Sequence, residues 1–311
     1  MTAPGHDYRE GLSLTDLFRL FPDDAAAERW FCETRWPDGV ACPHCGSVKV
    51  QTGAAHKTMP MRCRDCRKRF SVRTDTAMAG SNLGYQTWAI AIYLLTTSLK
   101  GVSSMKLHRD LGITQKSAWH LAHRIRQAWA VDSEPFEGPV EVDETFVGGK
   151  AANMHESKRE KMRRSDFPKA PVVGVRDRKT GQVSAQAIEI TDGETLRGFV
   201  REHARPGARV YSDGHKAYRP LEGEYHHRAV EHAVGTYVIG DVHTNAIESF
   251  WSMFKRGYMG TYHRMSPKHL DRYAKEFAGR HNSRSRDTIE QMRRIARGLA
   301  GKRLRYGDLT A

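Results

Sequence analysis

The chain has 311 residues, long enough for two or three domains with at least one well-buried core. It carries 50 Lys and Arg against 36 Asp and Glu, a formal net charge of +14. That excess points to a polyanionic partner, nucleic acid rather than a membrane surface, because no basic amphipathic anchor helix accompanies it. No stretch approaches the ~18 apolar residues of a membrane span, and the opening MTAPGHDYRE lacks the basic and apolar regions of an export signal. A cytoplasmic protein with no membrane partner is expected.

Residues 1–40 read as a helical lead-in, Ala-rich at its centre and closed by the turn-forming Pro37, Asp38 and Gly39. Next come two C-x2-C pairs, Cys42 with Cys45 and Cys63 with Cys66, seventeen residues apart. Without an export signal the thiols stay reduced, and the spacing is that of a four-thiolate zinc site. This predicts a zinc ribbon over 41–80 holding one structural Zn2+, since four thiolates leave no open position for a substrate. Gly46 allows the first knuckle to turn, and Cys32 reads as a core residue. Arg62, Arg64, Arg67, Lys68, Arg69 and Arg73 crowd the second knuckle. Arg67 and Lys68 are candidate DNA-backbone contacts, with a solvated basic face as the alternative.

Over 81–132 the pattern is helical. GVSSMKLHRDLGITQKSAWHLAHRIRQAW reads as a helix, a turn at Leu111-Gly112-Ile113 and a second helix with Thr114 as its N-cap. The second helix is expected to expose Gln115, Lys116, His120, His123 and Arg124 while Ala118, Trp119, Ala122 and Ile125 pack. As a helix-turn-helix region it would place Gln115, Lys116 and Arg124 against DNA, although two helices joined by a Gly turn also occur without DNA.

DSEPFEGP is an acidic, Pro-containing linker into a second domain, 138–265. VEVDETFVGGK alternates as a strand with Glu141, Asp143 and Thr145 on one face and Val140, Val142, Glu144 and Phe146 mainly on the other. Residues 149–170 form a basic insertion without periodicity, expected to be mobile. PVVGVRDRKTGQVSAQAIEI reads as a hairpin turning at Arg178-Lys179-Thr180-Gly181, and ETLRGFVREHA as a helix. After Arg205-Pro206-Gly207 a short strand ends at Asp213, where Gly214 turns the chain into a helix. A carboxylate at a strand end is where open α/β sheets place functional groups, though Asp213 can also be read as an N-cap.

VHTNAIESFWSMFKRGYMGTYH is an amphipathic helix. Ile247, Phe250, Trp251, Phe254 and Tyr258 form its apolar stripe, and Asn245, Glu248, Ser252 and Lys255 its polar flank. Phe250 and Trp251 read as core. Residues 266–311 hold two basic helices expected to pack on the catalytic core and touch DNA. Glu141, Glu144 and Asp241 remain alternative acids for any site built around Asp143 and Glu248.

A strand with Asp143, a hairpin, a helix, a strand ending in Asp213 and a later helix with Glu248 is the order of a ribonuclease H-like α/β core. VDETFVGGK, YSDGHKAY, HTNAIESFWSMFKRGYMGTYH, RWPDGVACPHCGS and CRDCRKRFSVRT together resemble bacterial insertion-sequence DDE transposases of the zinc-ribbon, ISXO-like group, over about residues 15–284. The resemblance implies that Asp143, Asp213 and Glu248 are the catalytic triad, thirty-four residues separating the last two. It also implies that Lys255 holds a transposon-end phosphate and that Asn245 assists it.

Phosphodiester transfer needs two divalent cations roughly 3.5–4 Å apart, and oxygen ligands select Mg2+ or Mn2+. The expected reaction frees a 3′-hydroxyl at each inverted-repeat end and joins it to target DNA. Synapsis of two double-stranded DNA ends requires at least two active sites, so a homo-oligomer associated with the nucleoid is expected. The competing readings are a non-catalytic DNA-binding regulator and a metal-dependent nuclease that cuts without joining.

Overall fold

Capping residues and apolar stripes divide this chain into two separately packed units, residues 1–131 with 283–311 and residues 132–282. The structure is a computed structural model that describes residues 9–53, 56–129, 134–149, 156, 169–230 and 242–311. Residues 132 and 133 of the linker, nearly all of the basic insertion 149–170, and Asp241 lie outside the described residues.

In the first unit, α1 (Leu14–Leu20) and α2 (Asp24–Arg35) start on Ser13 and Asp23, whose side chains accept the amides of Asp16 and Ala26. The apolar run WAIAIYLL forms most of α3 (Tyr85–Thr97), buried nearly all round, with Trp88 fully enclosed. α4 (Ser104–Leu111) ends at Gly112, whose φ of +62° gives the left-handed cap that a residue without Cβ adopts at little cost. α5 (Gln115–Arg126) then starts on Thr114, whose hydroxyl accepts the amide of Ser117.

The C-terminal helices depart from expectation. α8 (Pro267–Ser283) packs in the second unit, but α9 (Thr288–Gly298) buries Met292 and Ile295 in the helical core of the first. Gly298 explains the fit, since a Cβ there would stand 2.7 Å from the carbonyl oxygen of Ala128. The basic character of the segment signals neither partner; its apolar stripe does. The N-terminal lead-in, the α4–α5 pair and α9 therefore share one core. A last short helix, α10 (Tyr306–Thr310), ends the chain.

The cysteine region forms a small antiparallel sheet, β1 (Val50–Gln51), β2 (Met61–Cys63) and β3 (Arg69–Phe70), in the order β1-β2-β3. Its apolar cluster joins Met61 and Phe70 to the cysteines, with Trp36 and the half-buried Cys32 packed alongside.

The second unit is built on a five-stranded sheet ordered β6-β5-β4-β7-β8. β4 (Val140–Val147), β5 (Ala170–Asp177) and β6 (Val183–Ala187) are antiparallel neighbours, while β7 (Arg209–Asp213) and β8 (His226–Val230) run parallel to β4. The predicted hairpin is thus present. The edge strand β8 was not foreseen, because HHRAV has neither an apolar run nor clean alternation. Val140, Val142, Val173 and Val175 pack on one side with α6 (Gly193–His203), through Leu196, Phe199 and Val200. Val172, Val147 and Val183 face the other way, against α7 (Asn245–Gly257) and α8. Phe254 of α7 meets Phe277 of α8 edge-on, with ring centroids 5.0 Å apart. After Asp213 the chain enters a short 3-10 helix, Lys216–Gly223.

Candidate active site and metal cluster

The sheet register brings the first two sequence-predicted acids side by side. β4 and β7 run parallel with Val142 opposite Ser212, so Asp143 and Asp213 follow on adjacent strands at the end of β7. Across β4 on the other side, Asp143 is paired with Gly174 of β5. That glycine gives α7 its close seat on the sheet, since a Cβ would come within 2.7 Å of the Trp251 ring. Phe250 and Trp251 are buried, as the apolar stripe predicts. Glu248 stands on the same helix one turn before Trp251, half-buried, and its Oε1 accepts the Thr244 hydroxyl at 2.8 Å.

Burial pushes the Asp143 carboxyl up to about 8, and the nearby charges of Asp213, Glu144 and Glu248 push in the same direction. Asp143 thus senses all the other acids of the cluster. Asp213 accepts the amide of His215 at 3.2 Å, and the cap of the following 3-10 helix is His215 rather than Asp213. Glu144 faces the other way from Glu141 and accepts the hydroxyl of the fully buried Tyr218 at 2.7 Å; burial, the largest influence, raises its carboxyl.

Glu141 is fully buried and already engaged. Its Oε1 accepts Arg178 Nε at 2.7 Å, and its Oε2 accepts the amides of Ala246 and Ile247 at 2.8 and 2.9 Å. Arg178, read in the sequence as a turn residue, turns its side chain inward to this carboxylate and lies over the Tyr211 ring at 4.4 Å. The sequence gives no local signal for that pairing, because the partners are 37 positions apart. Asn245 and Lys255 are both exposed on α7. Lys255 lies seven residues beyond Glu248, close to two turns along the same helix face.

The cysteines form the second cluster. The sulfurs of Cys42, Cys45, Cys63 and Cys66 all lie within 4.8 Å of one another, with Cys42 to Cys66 and Cys45 to Cys63 both at 3.6 Å. Zinc–sulfur bonds of about 2.3 Å in a tetrahedron place sulfurs about 3.8 Å apart, so the four thiols fit a structural zinc ion. The amide of Cys66, directed at its sulfur, helps hold the Cys63 thiol below its ordinary range, while hydrogen bonds with the other three thiols push that of Cys45 the opposite way. Gly46 has φ of +76°, and the corresponding position of the second knuckle is Arg67, with φ of +60°. The second knuckle thus places a basic side chain where the first uses glycine, at a modest conformational cost. Arg62, Arg64, Arg67, Lys68 and Arg69 are exposed, whereas Arg73 lies over the Tyr85 ring at 4.0 Å.

On α5 the expected DNA-facing set is corrected. Gln115 and Lys116 are exposed, Gln115 donating to Ser104 Oγ at 2.9 Å and Lys116 lying 4.3 Å above the Tyr306 ring. His123 and Arg124 are buried, Arg124 donating to the Ala79 carbonyl and lying over Trp88. The helix is wrapped on more of its circumference than two packed helices require, because α3 supplies a further wall.

Residues 135–282 match the model of the ISXO2-like transposase domain, and residues 22–69 that of the transposase zinc-ribbon domain, together more than half of the chain. A protein of Halobacterium salinarum, described as an uncharacterized protein in transposable element ISH50, is 27% identical over 276 residues, 83% of this chain and 91% of that relative. No solved structure matches the chain. No helix among the described residues is long and apolar enough to cross a membrane. With a transposase zinc ribbon preceding the transposase domain on one chain, the protein belongs to the ISXO2-like family of insertion-sequence transposases.

Proposed function

We propose that this transposase cuts the phosphodiester at the ends of its insertion sequence and joins the freed 3′-hydroxyl to target DNA, with Asp143, Asp213 and Glu248 as its catalytic acids. The observation that carries the reading is the convergence of the three elements: adjacent parallel strands bring Asp143 beside Asp213, and α7 is seated against β4 and β5 with Glu248 near them. A sheet of three antiparallel strands followed by two parallel ones, with helices on both faces, supports a ribonuclease H-like core.

The donor set fits hard divalent cations. Burial first, and then the charges of Asp213, Glu144 and Glu248, raise the Asp143 carboxyl, and a bound Mg2+ or Mn2+ would offset the repulsion among these acids. Asp143, Asp213 and Glu248 would hold the ions, which supply activation of the attacking oxygen and stabilisation of the leaving oxygen. In cleavage, a water oxygen bonds to phosphorus while the bond to the 3′ oxygen breaks, and that oxygen leaves with a proton as the 3′-hydroxyl. In joining, the 3′ oxygen attacks a target phosphodiester, the target's own 3′ oxygen departs, and no net hydrolysis occurs. Thr244 holds the Glu248 carboxylate in orientation, and the exposed Lys255 supplies positive charge for a DNA phosphate beside the acids.

The α4–α5 pair reads as a helix-turn-helix, with Gln115 and Lys116 at the exposed start of its second helix, and the knuckle cations Arg67 and Lys68 add backbone contacts. The full reaction requires double-stranded ends and target, and two copies of the chain to pair the ends.

The test combines purified protein, Mg2+ or Mn2+, duplexes carrying the element's own ends and a supercoiled target plasmid, with Glu248→Gln in parallel. Joined products from the unaltered chain alone are expected. Cut but unjoined ends would favour a nuclease, and end binding without cutting by either protein would favour a regulator.

A further inference from the structure

Helix α7 is capped from outside its own sequence. Its N-cap residue, Thr244, directs its hydroxyl to Glu248 and makes no side-chain cap bond to the first-turn amides. An uncapped helix start leaves backbone donors that a buried setting penalises. Here two of them, Ala246 and Ile247, donate to Glu141, a carboxylate more than a hundred positions earlier on β4 and two residues before Asp143. The surrounding cations complete the clamp. Arg178 donates its Nε to Glu141 and its Nη2 to the His243 carbonyl at 2.6 Å, while Arg176 donates to the Ala246 carbonyl at 2.6 Å. His243 Nδ1 lies 3.3 Å from the same carboxylate.

We propose that Glu141 is a positioning residue of the active site: its buried carboxylate caps α7 from strand β4 and so fixes where Glu248 stands relative to Asp143. This rests on the reading of Asp143, Asp213 and Glu248 as metal-binding acids. The alternative, that Glu141 is itself a ligand, conflicts with its geometry, because both oxygens are already committed to donors and none of the residue's surface is exposed. A carboxylate suits the role better than a neutral acceptor, since the helix start carries partial positive charge and Arg178 a full one. The division of labour also explains Thr244: with the backbone amides held by Glu141, its hydroxyl orients the Glu248 carboxylate.

The experiment titrates Mn2+ into full-length Glu141→Gln, Arg178→Lys, Glu248→Gln, Asp143→Asn and unaltered protein. Bound Mn2+ is read by electron paramagnetic resonance, amide exchange at Ala246 and Ile247 is followed, and affinity for a duplex is measured. Glu141→Gln is expected to weaken Mn2+ binding tenfold or more and to speed exchange at those two amides, with duplex affinity within twofold of the unaltered chain. Arg178→Lys, which keeps the charge and loses the fork geometry, should move both readouts the same way by a few-fold; it decides the matter if Glu141→Gln does not fold. Unchanged Mn2+ affinity in the folded Glu141 or Arg178 variant, while Glu248→Gln and Asp143→Asn lose it, would overturn the positioning role alone. A lower Mn2+ stoichiometry in Glu141→Gln with unchanged amide exchange would make Glu141 a ligand and equally overturn it. Normal Mn2+ binding in Glu248→Gln and Asp143→Asn would overturn the acid triad itself, and the positioning role with it.

Discussion

Replacing Asp143 with Asn is expected to stabilise the cation-free transposase domain while removing its response to Mg2+. The unfolded chain ionises this carboxyl at its ordinary 3.8, and the folded chain only near about 8. Between those values the folded state holds a proton that the unfolded state has released, so raising the pH through the window draws the equilibrium toward unfolding. At about 1.4 kcal/mol for each pH unit between 3.8 and 8, the loss above pH 8 has a ceiling of about 6 kcal/mol, reduced where the side chain swings toward water. Asn carries no charge, so the variant should exceed the unaltered chain by about 2–5 kcal/mol at pH 8.5 and by much less at pH 5.

Mg2+ at a hundred times its dissociation constant would add about 2.7 kcal/mol to the unaltered chain and little to the variant. Because the chain has two units, a global melt would blend them. Hydrogen exchange of β4 and β7 peptides, measured at each pH with and without Mg2+, reads the domain alone. Equal protection of the two proteins at pH 8.5 without cation, or equal Mg2+ protection of both, would refute the argument that this acid cluster is built around a cation.

Other outcomes follow from the same geometry. Gly174→Ala should push Trp251 and α7 off the sheet at a cost of about 1–3 kcal/mol; joining activity should fall with it, and unchanged activity and stability would show that α7 does not need the close seat. Cys63→Ser should abolish zinc binding, measured by metal content, and expose β1–β3 to rapid hydrogen exchange while β4–β8 stay protected. Arg124→Ala should cost the first unit about 1–3 kcal/mol through the lost carbonyl bond and the Trp88 contact, without changing the salt dependence of DNA binding; a shallower salt dependence would place it at DNA after all. Lys255→Ala should weaken end binding and lower the salt slope by about one ion, a change that filter binding across a salt series resolves.

The spacing of the cysteines, the hairpin at 171–190, the strand ending at Asp213 and the helix bearing Glu248 were legible in the sequence because each rests on local periodicity or a local turn. What the sequence left open was every pairing between distant positions. Glu141 looked like a rival to Asp143, since alternation alone puts both on one face of a strand; only the fold shows that two helix amides and Arg178 already occupy it. Arg124 and His123 look exposed on a two-helix reading and become buried when α3 supplies another wall. The destination of α9 was equally hidden, because a basic amphipathic helix fits either unit until Gly298 meets Ala128. Local patterns state which groups a chain possesses and which way each element faces. Which carboxylate receives a helix and which faces its neighbours is decided by long-range register, here β4 against β5 and β7, and that information exists only once the sheet has formed.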